Sequence, residues 1–598
     1  MSRPIEEYAL IGDLHAAALV SRDGSIDWLC LPRFDSEACF AALLGDERHG
    51  HWQIAPDGQP SQVRRRYLPD TLVLETEFST ATGTVRVTDC MPPRHGDPVL
   101  LRLVQGVRGR VDMRMTLAPR FEYGLTVPRV RAADVPSLTA GAQALWLFCP
   151  LDLRAGEGSL SACFQVAAGD QVPVALVWRR PHQQAPPRPA TAALAGQTAG
   201  WWQDWAAGLD CHGEWRDAVV RSLITVKTLS YAPTGGLLAA PTMSLPQQPS
   251  GVRNWDYRYC WARDGAAALE AFAAAGAREE AAQLANWLDR AAAGPATQVQ
   301  PVYRVAGERR IPELAADWLP GYEGAQPVRI GNASAARVVP ATFGYLLRAR
   351  LAARRAGLPV PEPPPGPDAV LAFLQDRWTQ PDPGIWEMRG PLRHFVHSKA
   401  LIWAAADAAV TLARQFGERR PAGDWHRLRA AVHADVLARG YDPGRNTFTQ
   451  RYGCALTDAS LLQLPLLGFL PADDPRVTGT AEAVCRDLDD SGVLLRYRTD
   501  RAADADGLPP GEAASLPATF WLAEMLAAAG ESARARAVFT RLLDLRNDVG
   551  LLAEGYDPLR RRFAGNFPLA AAHLGLIATA RALNRAGTSR HPGQLAAR

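Results

Sequence analysis

Apolar and polar positions change period once along the chain, and that change divides it into two regions. From about residue 8 to residue 180 the runs are short and alternating, as in Thr71-Leu-Val-Leu-Glu-Thr-Glu-Phe78 and Thr84-Val-Arg-Val-Thr-Asp89, with glycine or proline between them. Period-two alternation sends successive side chains to opposite faces of a strand, and it predicts a β-sandwich over residues 1–190. The proline-rich stretch Pro181 to Pro189 ends this region, and residues 191–212 are expected to form a linker.

Beyond the linker the period is helical. Trp215, Ala218, Val219, Leu223, Val226 and Leu229 trace one face of a helix. Twelve such segments are expected, over residues 214–231, 264–276, 279–293, 339–356, 367–378, 397–417, 424–439, 457–465, 475–489, 515–529, 531–546 and 569–585. Twelve helices of alternating direction make six hairpins, which can close into inner and outer rings, an (α/α)6 barrel over residues 213–598. The expected fold class is therefore all-β followed by all-α. A helical solenoid is the rival architecture, but the chain has no fixed repeat period. Polar and aromatic clusters at 255–264, 329–332, 386–387, 451–458, 496–512 and 554–566 each precede an even-numbered segment. In an alternating array those loops lie at one end, so the clusters converge on one mouth, where a rigid scaffold usually carries functional groups.

Composition narrows the partner. The 598 residues hold 65 basic and 62 acidic side chains, a net charge of +3, so no strong field draws nucleic acid or an anionic membrane. Nine cysteines lack paired spacing, and the histidines form no metal-ligand pattern, so neither a disulfide framework nor a metal site is expected. Met1 to Glu7 does not resemble a secretory leader, and no long apolar run occurs. The reading is a cytoplasmic protein with a neutral small-molecule partner, no cofactor, and a homo-oligomeric state left open.

The chemistry sits in the clusters. Asn254 to Asp264 packs four aromatics and four charges into eleven residues, suited to a sugar subsite, where rings cover C–H faces and charged groups bond hydroxyls. The alternative is that Arg263 and Asp264 merely pair and cap the following helix. Glu387 and Glu554 each lie in an aromatic setting just before a helix. Two carboxyls flanking one site can act as the acid and the base that cleave a glycosidic bond.

These motifs occur in a recognisable order. Tyr8-Ala-Leu-Ile-Gly-Asp13, Asp23 to Ser36, Tyr231-Ala-Pro-Thr-Gly235, Asn254 to Tyr259, Pro327 to Asn332, Ile385-Trp-Glu387, Asp458-Ala-Ser-Leu461 and Gly565-Asn-Phe-Pro568 together resemble glycoside hydrolase family 15 over nearly the whole chain. The resemblance implies an inverting, exo-acting hydrolase of a small α-glucoside, of glucoamylase or trehalase type. It makes Glu387 the general acid and Glu554 the general base, roughly 6.5–9.5 Å apart to admit a water. Arg263 and Asp264 match the pair that holds the terminal glucose, and Arg496 matches a further hydroxyl-binding arginine. Trp255, Tyr257 and Trp261 are expected as aromatic walls or packing, with Arg329 and Asn332 as further contacts. Trp386 is expected as an apolar wall that raises the Glu387 pKa. His394 and Lys399 are expected to contact substrate or to hold the start of the sixth helix.

The chain also departs from the family pattern. It reads Ala335-Ala-Arg-Val-Val-Pro-Ala341 where relatives carry glutamine and aspartate, Leu569 where glutamine is usual, Gly555 where a second glutamate is frequent, and His397 where a tyrosine is usual. These changes leave open a sugar-binding protein without turnover, or a glucosyl-transferring relative.

Overall fold

The computed structural model describes residues 3–360, 365–418, 422–500 and 506–588. Residues 501–505 of the 496–512 cluster and the end of the expected barrel, 589–598, lie outside the described residues. Alternation in the first region is borne out at the level of single strands. In Leu74–Ser79, the side chains of Leu74, Thr76 and Phe78 are buried while Glu75, Glu77 and Ser79 are half-buried. The strands are antiparallel and join into one hydrogen-bonded array of fifteen. The continuity comes from Val99–Ala118, whose first half pairs with Gly83–Cys90 and Gln171–Trp178 and whose second half pairs with His51–Pro56 and Ser159–Ala167. This strand changes course at Gly106 and Gly109, where the register slips by one residue. Gly109 has φ 65°, and a Cβ on Gly106 would lie 1.9 Å from the Ala167 carbonyl oxygen. A glycine-bearing bulge is how one long strand can serve two halves of a sheet.

The stretch expected as a linker is largely helical. Helix α1, Thr191–Ala207, lies against Val99–Ala118 and Gln171–Trp178. Its tryptophans give it a buried face that a free linker lacks: Trp202 is fully buried, and the Trp205 indole N–H reaches Glu280 at 2.9 Å. Helix α1 therefore joins the two regions as a packed strut.

All twelve expected helical segments are present. They are α2 (Arg216–Thr228), α3 (Ala262–Ala274), α4 (Arg278–Ala291), α5 (Thr342–Arg355), α6 (Pro367–Arg377), α7 (Val396–Phe416), α8 (Ala422–Arg439), α9 (Gln463–Leu466), α10 (Pro475–Leu488), α11 (Leu516–Ala528), α12 (Ser532–Asp544) and α13 (Ala570–Thr588). The eighth is the weakest, a 3-10 turn, Ala459–Leu462, running into the four-residue α9 with Pro465 inside it. Packing runs α3 to α5 to α7 to α9 to α11 to α13 and from α13 back to α3. The six helices that follow the polar clusters therefore neighbour one another in a closed circuit. Inner position explains their composition, because α7 is buried on nearly every side and its middle is Ala404-Ala-Ala406 and Ala408-Ala409, small enough for close helix approach. It ends at Gly417, whose φ of 66° suits a left-handed cap.

Candidate active site

Five of the six clusters converge on one cleft; 451–458 does not line it and meets it through Asp458, which accepts from the Trp386 indole N–H at 2.9 Å. A cleft of about 980 Å³, open to solvent, is lined by Trp255, Tyr257, Trp261, Arg263 and Asp264 before and at the start of α3, Asn332 and Ser334 before α5, Ile385 to Arg389 before α7, Arg496 and Tyr497 before α11, and Glu554 and Leu569 before α13. The β region helps to hold it. The buried Arg258 pairs with Asp256 at 2.7 Å and bonds the Tyr123 hydroxyl at 3.0 Å and the Ser36 carbonyl at 2.8 Å, both from the first region. Asp256 in turn accepts from the Gly331 N–H at 2.9 Å, and Asn332 donates to the Asp256 carbonyl at 3.2 Å. One buried ion pair thus fixes two site loops against the β region, and losing one partner would strand a buried charge.

Glu387 sits on a tight turn with φ 51°, a left-handed conformation that a non-glycine residue keeps only where its surroundings impose it. The turn is pinned from below. Asp382 accepts from the Gly384 N–H at 2.7 Å and the Ser398 hydroxyl at 2.9 Å, while Lys399 donates to the Trp378 and Gln380 carbonyls. Lys399 is therefore bound to backbone beneath the turn, and His394 stacks on Tyr452 with ring centroids 5.8 Å apart. In the cleft, Glu387 Oε1 accepts from the Trp261 indole N–H at 2.9 Å. Burial pushes the Glu387 carboxyl above its ordinary pKa, and the Ser334 hydroxyl, Arg263, the Trp261 N–H and Arg337 oppose it. The indole that meets this carboxyl is thus that of Trp261. Trp386, expected as an apolar wall, lines the same cleft, turns its N–H to Asp458 at 2.9 Å and stacks on Trp521 at 5.8 Å.

Glu554 lies beside a small three-stranded sheet of Ala514–Ser515, Gly555–Asp557 and Arg562–Ala564. Its Oε1 accepts from the Gln247 amide at 2.5 Å and the Tyr257 hydroxyl at 2.9 Å, and its Oε2 from the Asn566 N–H at 3.1 Å. Gln247 is itself oriented by Arg496, which donates to its amide oxygen at 3.0 Å while pairing with Glu512. Burial raises the Glu554 carboxyl, and Arg496, the Asn566 N–H, Gln247 and Tyr257 all pull it back. Gly565, at φ 73°, is required here, since a Cβ would stand 2.3 Å from Glu554 Oε2. The two carboxyls are connected through aromatic rings: Tyr257 bonds Glu554, Trp261 bonds Glu387, and these rings meet edge to face at 5.4 Å.

The other expected residues divide. Arg263 and Asp264 line the cleft as a pair, Nε to Oδ1 2.9 Å, with Arg263 also bonding the Ile385 carbonyl at 3.3 Å. Arg496, Trp255, Tyr257, Trp261, Trp386 and Asn332 also line it. Arg329 is not among the lining residues; it bonds the Val252 and Asn254 carbonyls and lies 4.5 Å from the Trp255 ring centroid. The Arg389 guanidinium lies 4.3 Å from the same centroid, and Glu313 holds both arginines. The Trp255 ring is thus already engaged by cations, which limits it as a stacking wall. Asn332 spends its side chain on the Asp256 carbonyl and the Ser334 N–H. Sequence reasoning misses Gln247, in Pro246-Gln-Gln-Pro249, because that stretch has neither charge nor aromatic ring. It also misses Trp521, which reads as an ordinary apolar position of α11. Of the departures, Leu569 lines the cleft, while His397 is buried beside Gln463 and held neutral, its pKa lowered to about 4 by burial.

Known proteins are similar to this chain over most of its length. Residues 213–581 match Glycosyl hydrolases family 15, and residues 1–150 match Trehalase-like, N-terminal. A trehalase of Mycolicibacterium smegmatis is 36% identical over 96% of this chain and 90% of its own. A trehalase of Thermoplasma volcanium is 32% identical over 97% of this chain and 94% of its own. A solved bacterial glucoamylase complexed with acarbose is similar in fold, with TM-score 0.68 over 99% of this chain and 97% of its own at 12% identity. Matched through its helical region, and similar to whole trehalases from end to end, the chain belongs to glycoside hydrolase family 15 and is a glycoside hydrolase.

Proposed function

We propose that this enzyme is an inverting, exo-acting α-glucoside hydrolase that releases β-glucose, with trehalose as its preferred substrate. The observation that carries the reading is the placement of Glu387 and Glu554 in one cleft, joined through Tyr257 and Trp261. Glu387 protonates the glycosidic oxygen, and Glu554 takes a proton from the water that attacks the anomeric carbon from the opposite face. The hydrogen bonds support this division. Three donors and Arg496 serve Glu554, which suits an ionised carboxylate that can only accept. Glu387 accepts from the Trp261 indole N–H, and burial outweighs the Ser334 hydroxyl, Arg263, that N–H and Arg337 to raise its pKa, which suits an acid that must hold a proton. Arg263 and Asp264 hold hydroxyls of the terminal glucose, charge-assisted bonds being the stronger kind.

The closed circuit of inner helices is read here as an (α/α)6 barrel, and the first region as a β-sandwich sharing one long strand. Trehalose is preferred because relatives similar over the whole length are trehalases. The test is to offer purified enzyme trehalose, maltose, isomaltose and soluble starch while following the first released anomer by NMR. From trehalose, inversion at the attacked carbon gives one β-glucose while the departing glucose keeps its α configuration, so early β- and α-glucose in equal amounts supports the reading, and α-glucose alone, or no release from any of the four, overturns it.

A further inference from the structure

The chemistry above leaves three features of the helical region unused. The first is Tyr345 on α5, whose hydroxyl is buried without a hydrogen-bond partner among the described residues. Such atoms are uncommon enough that each needs an explanation. The second is a cavity of about 370 Å³ adjoining Glu387, lined also by Trp261, Arg263, Thr342 and Tyr345. The third is a larger cavity of about 1350 Å³ walled by α3, α5, α9, α11 and α13. Arg263 and Tyr345 line both cavities, so the two meet at these side chains. Small residues such as Ala267, Gly575 and Ala578 keep the larger one open, and it reaches the exposed Glu270 and Arg585. Glu524 lines it with no hydrogen bond or ion pair among the described residues. Burial and the neighbouring Glu270 push the Glu524 carboxyl up to about 7, against Arg348 and Arg581.

Inverting hydrolysis leaves the acid without its proton and the base with an extra one, and both must be reset before the next turnover. Glu554 can return its proton to cleft water. Glu387 faces a cleft still filled by products, but its other neighbour is the smaller cavity. We propose that water in the two cavities forms a back route along which Glu387 is reprotonated, with the Tyr345 hydroxyl as the relay and Glu524 as the station nearer solvent. The balance closes: Glu387 gains one proton from the Tyr345-bound water, that water is replenished from Glu524 and bulk solvent, and Glu554 loses one proton to the cleft. No oxidant or co-reactant is needed. The polar partners that a buried water requires are on the wall, in Tyr345, Thr342, Arg263 and Glu387.

This inference rests on Glu387 being the acid, and the experiment separates the two. Rapid-quench kinetics on trehalose with Tyr345→Phe and Glu524→Gln, neither of which lines the substrate cleft, would measure the first turnover against later ones. The first turnover starts from an already protonated Glu387, so each variant is expected to release a burst of one equivalent of glucose pair per enzyme. The steady rate that follows falls by about tenfold, a modest part of what proton transfer contributes, with kcat/KM unchanged. A first turnover slowed as much as the later ones, or an unchanged steady rate without a burst, overturns the relay. Loss of turnover in Glu387→Gln alongside either result leaves the acid assignment standing, whereas retained turnover in Glu387→Gln removes both.

Discussion

The two sides of the cleft are built on different principles. The Glu554 side is over-determined: a small sheet, a required glycine and three directed donors hold its carboxylate in one position. The Glu387 side is a left-handed turn held from below, with one indole N–H on the carboxyl and open space adjoining it. A group that must stay ionised gains from a full set of donors. A group that must begin each cycle protonated gains from burial with fewer donors aimed at its ionised form.

The largest expected effects break this comparison at its centre. Glu387→Gln and Glu554→Gln should each lower kcat on trehalose by roughly 10²–10⁴, the usual worth of a positioned acid or base. They should differ in stability. A glutamine at 554 sets an N–H₂ group among the donors of Gln247, Tyr257 and Asn566, which costs about 1–3 kcal/mol for unpaired buried groups. A glutamine at 387 can keep its oxygen toward Trp261. Thermal melting should therefore fall clearly for Glu554→Gln and little for Glu387→Gln, and equal falls would contradict the contrast.

Gly565→Ala comes next. Its Cβ would meet Glu554 Oε2 at 2.3 Å, and φ 73° adds strain of about 1–3 kcal/mol. Displacing the base by a fraction of an ångström is expected to cost about a hundredfold in kcat, read from glucose release with the melting temperature beside it.

How much of this was legible in the sequence follows from which signals are local. Period-two and helical alternation depend on neighbours a few residues apart, so the strands and all twelve helices could be read, including the alternation that gathers the loops. Glu387, Glu554, Arg263 and Asp264 stood out as charges crowded among aromatics, and the cleft contains all four. The misses are long-range. Residues 191–212 look like a linker until helix α1 packs on the β region, and Arg329 looks like a sugar ligand until the Val252 and Asn254 carbonyls and the Trp255 ring engage it. Gln247 reaches Glu554 from 307 positions away, a distance across which no local pattern carries information.

The smallest and most discriminating effects are on the pH profile of kcat/KM. Gln247→Leu removes a donor that favours the ionised form of Glu554, so the pKa of that carboxyl rises further above its ordinary value. The base is then ionised only at higher pH, and the acid limb of the profile moves up. Trp261→Phe removes the one indole N–H that favours ionised Glu387, so the pKa of that carboxyl rises as well. The acid now keeps its proton to higher pH, and the basic limb moves up. A hydrogen bond worth about 0.5–1.5 kcal/mol corresponds to roughly half to one pH unit in either case. Both substitutions shift a limb in the same direction, yet the first narrows the active range and the second widens it. If Gln247→Leu moved the basic limb, or Trp261→Phe the acid limb, the roles of the two glutamates would be exchanged.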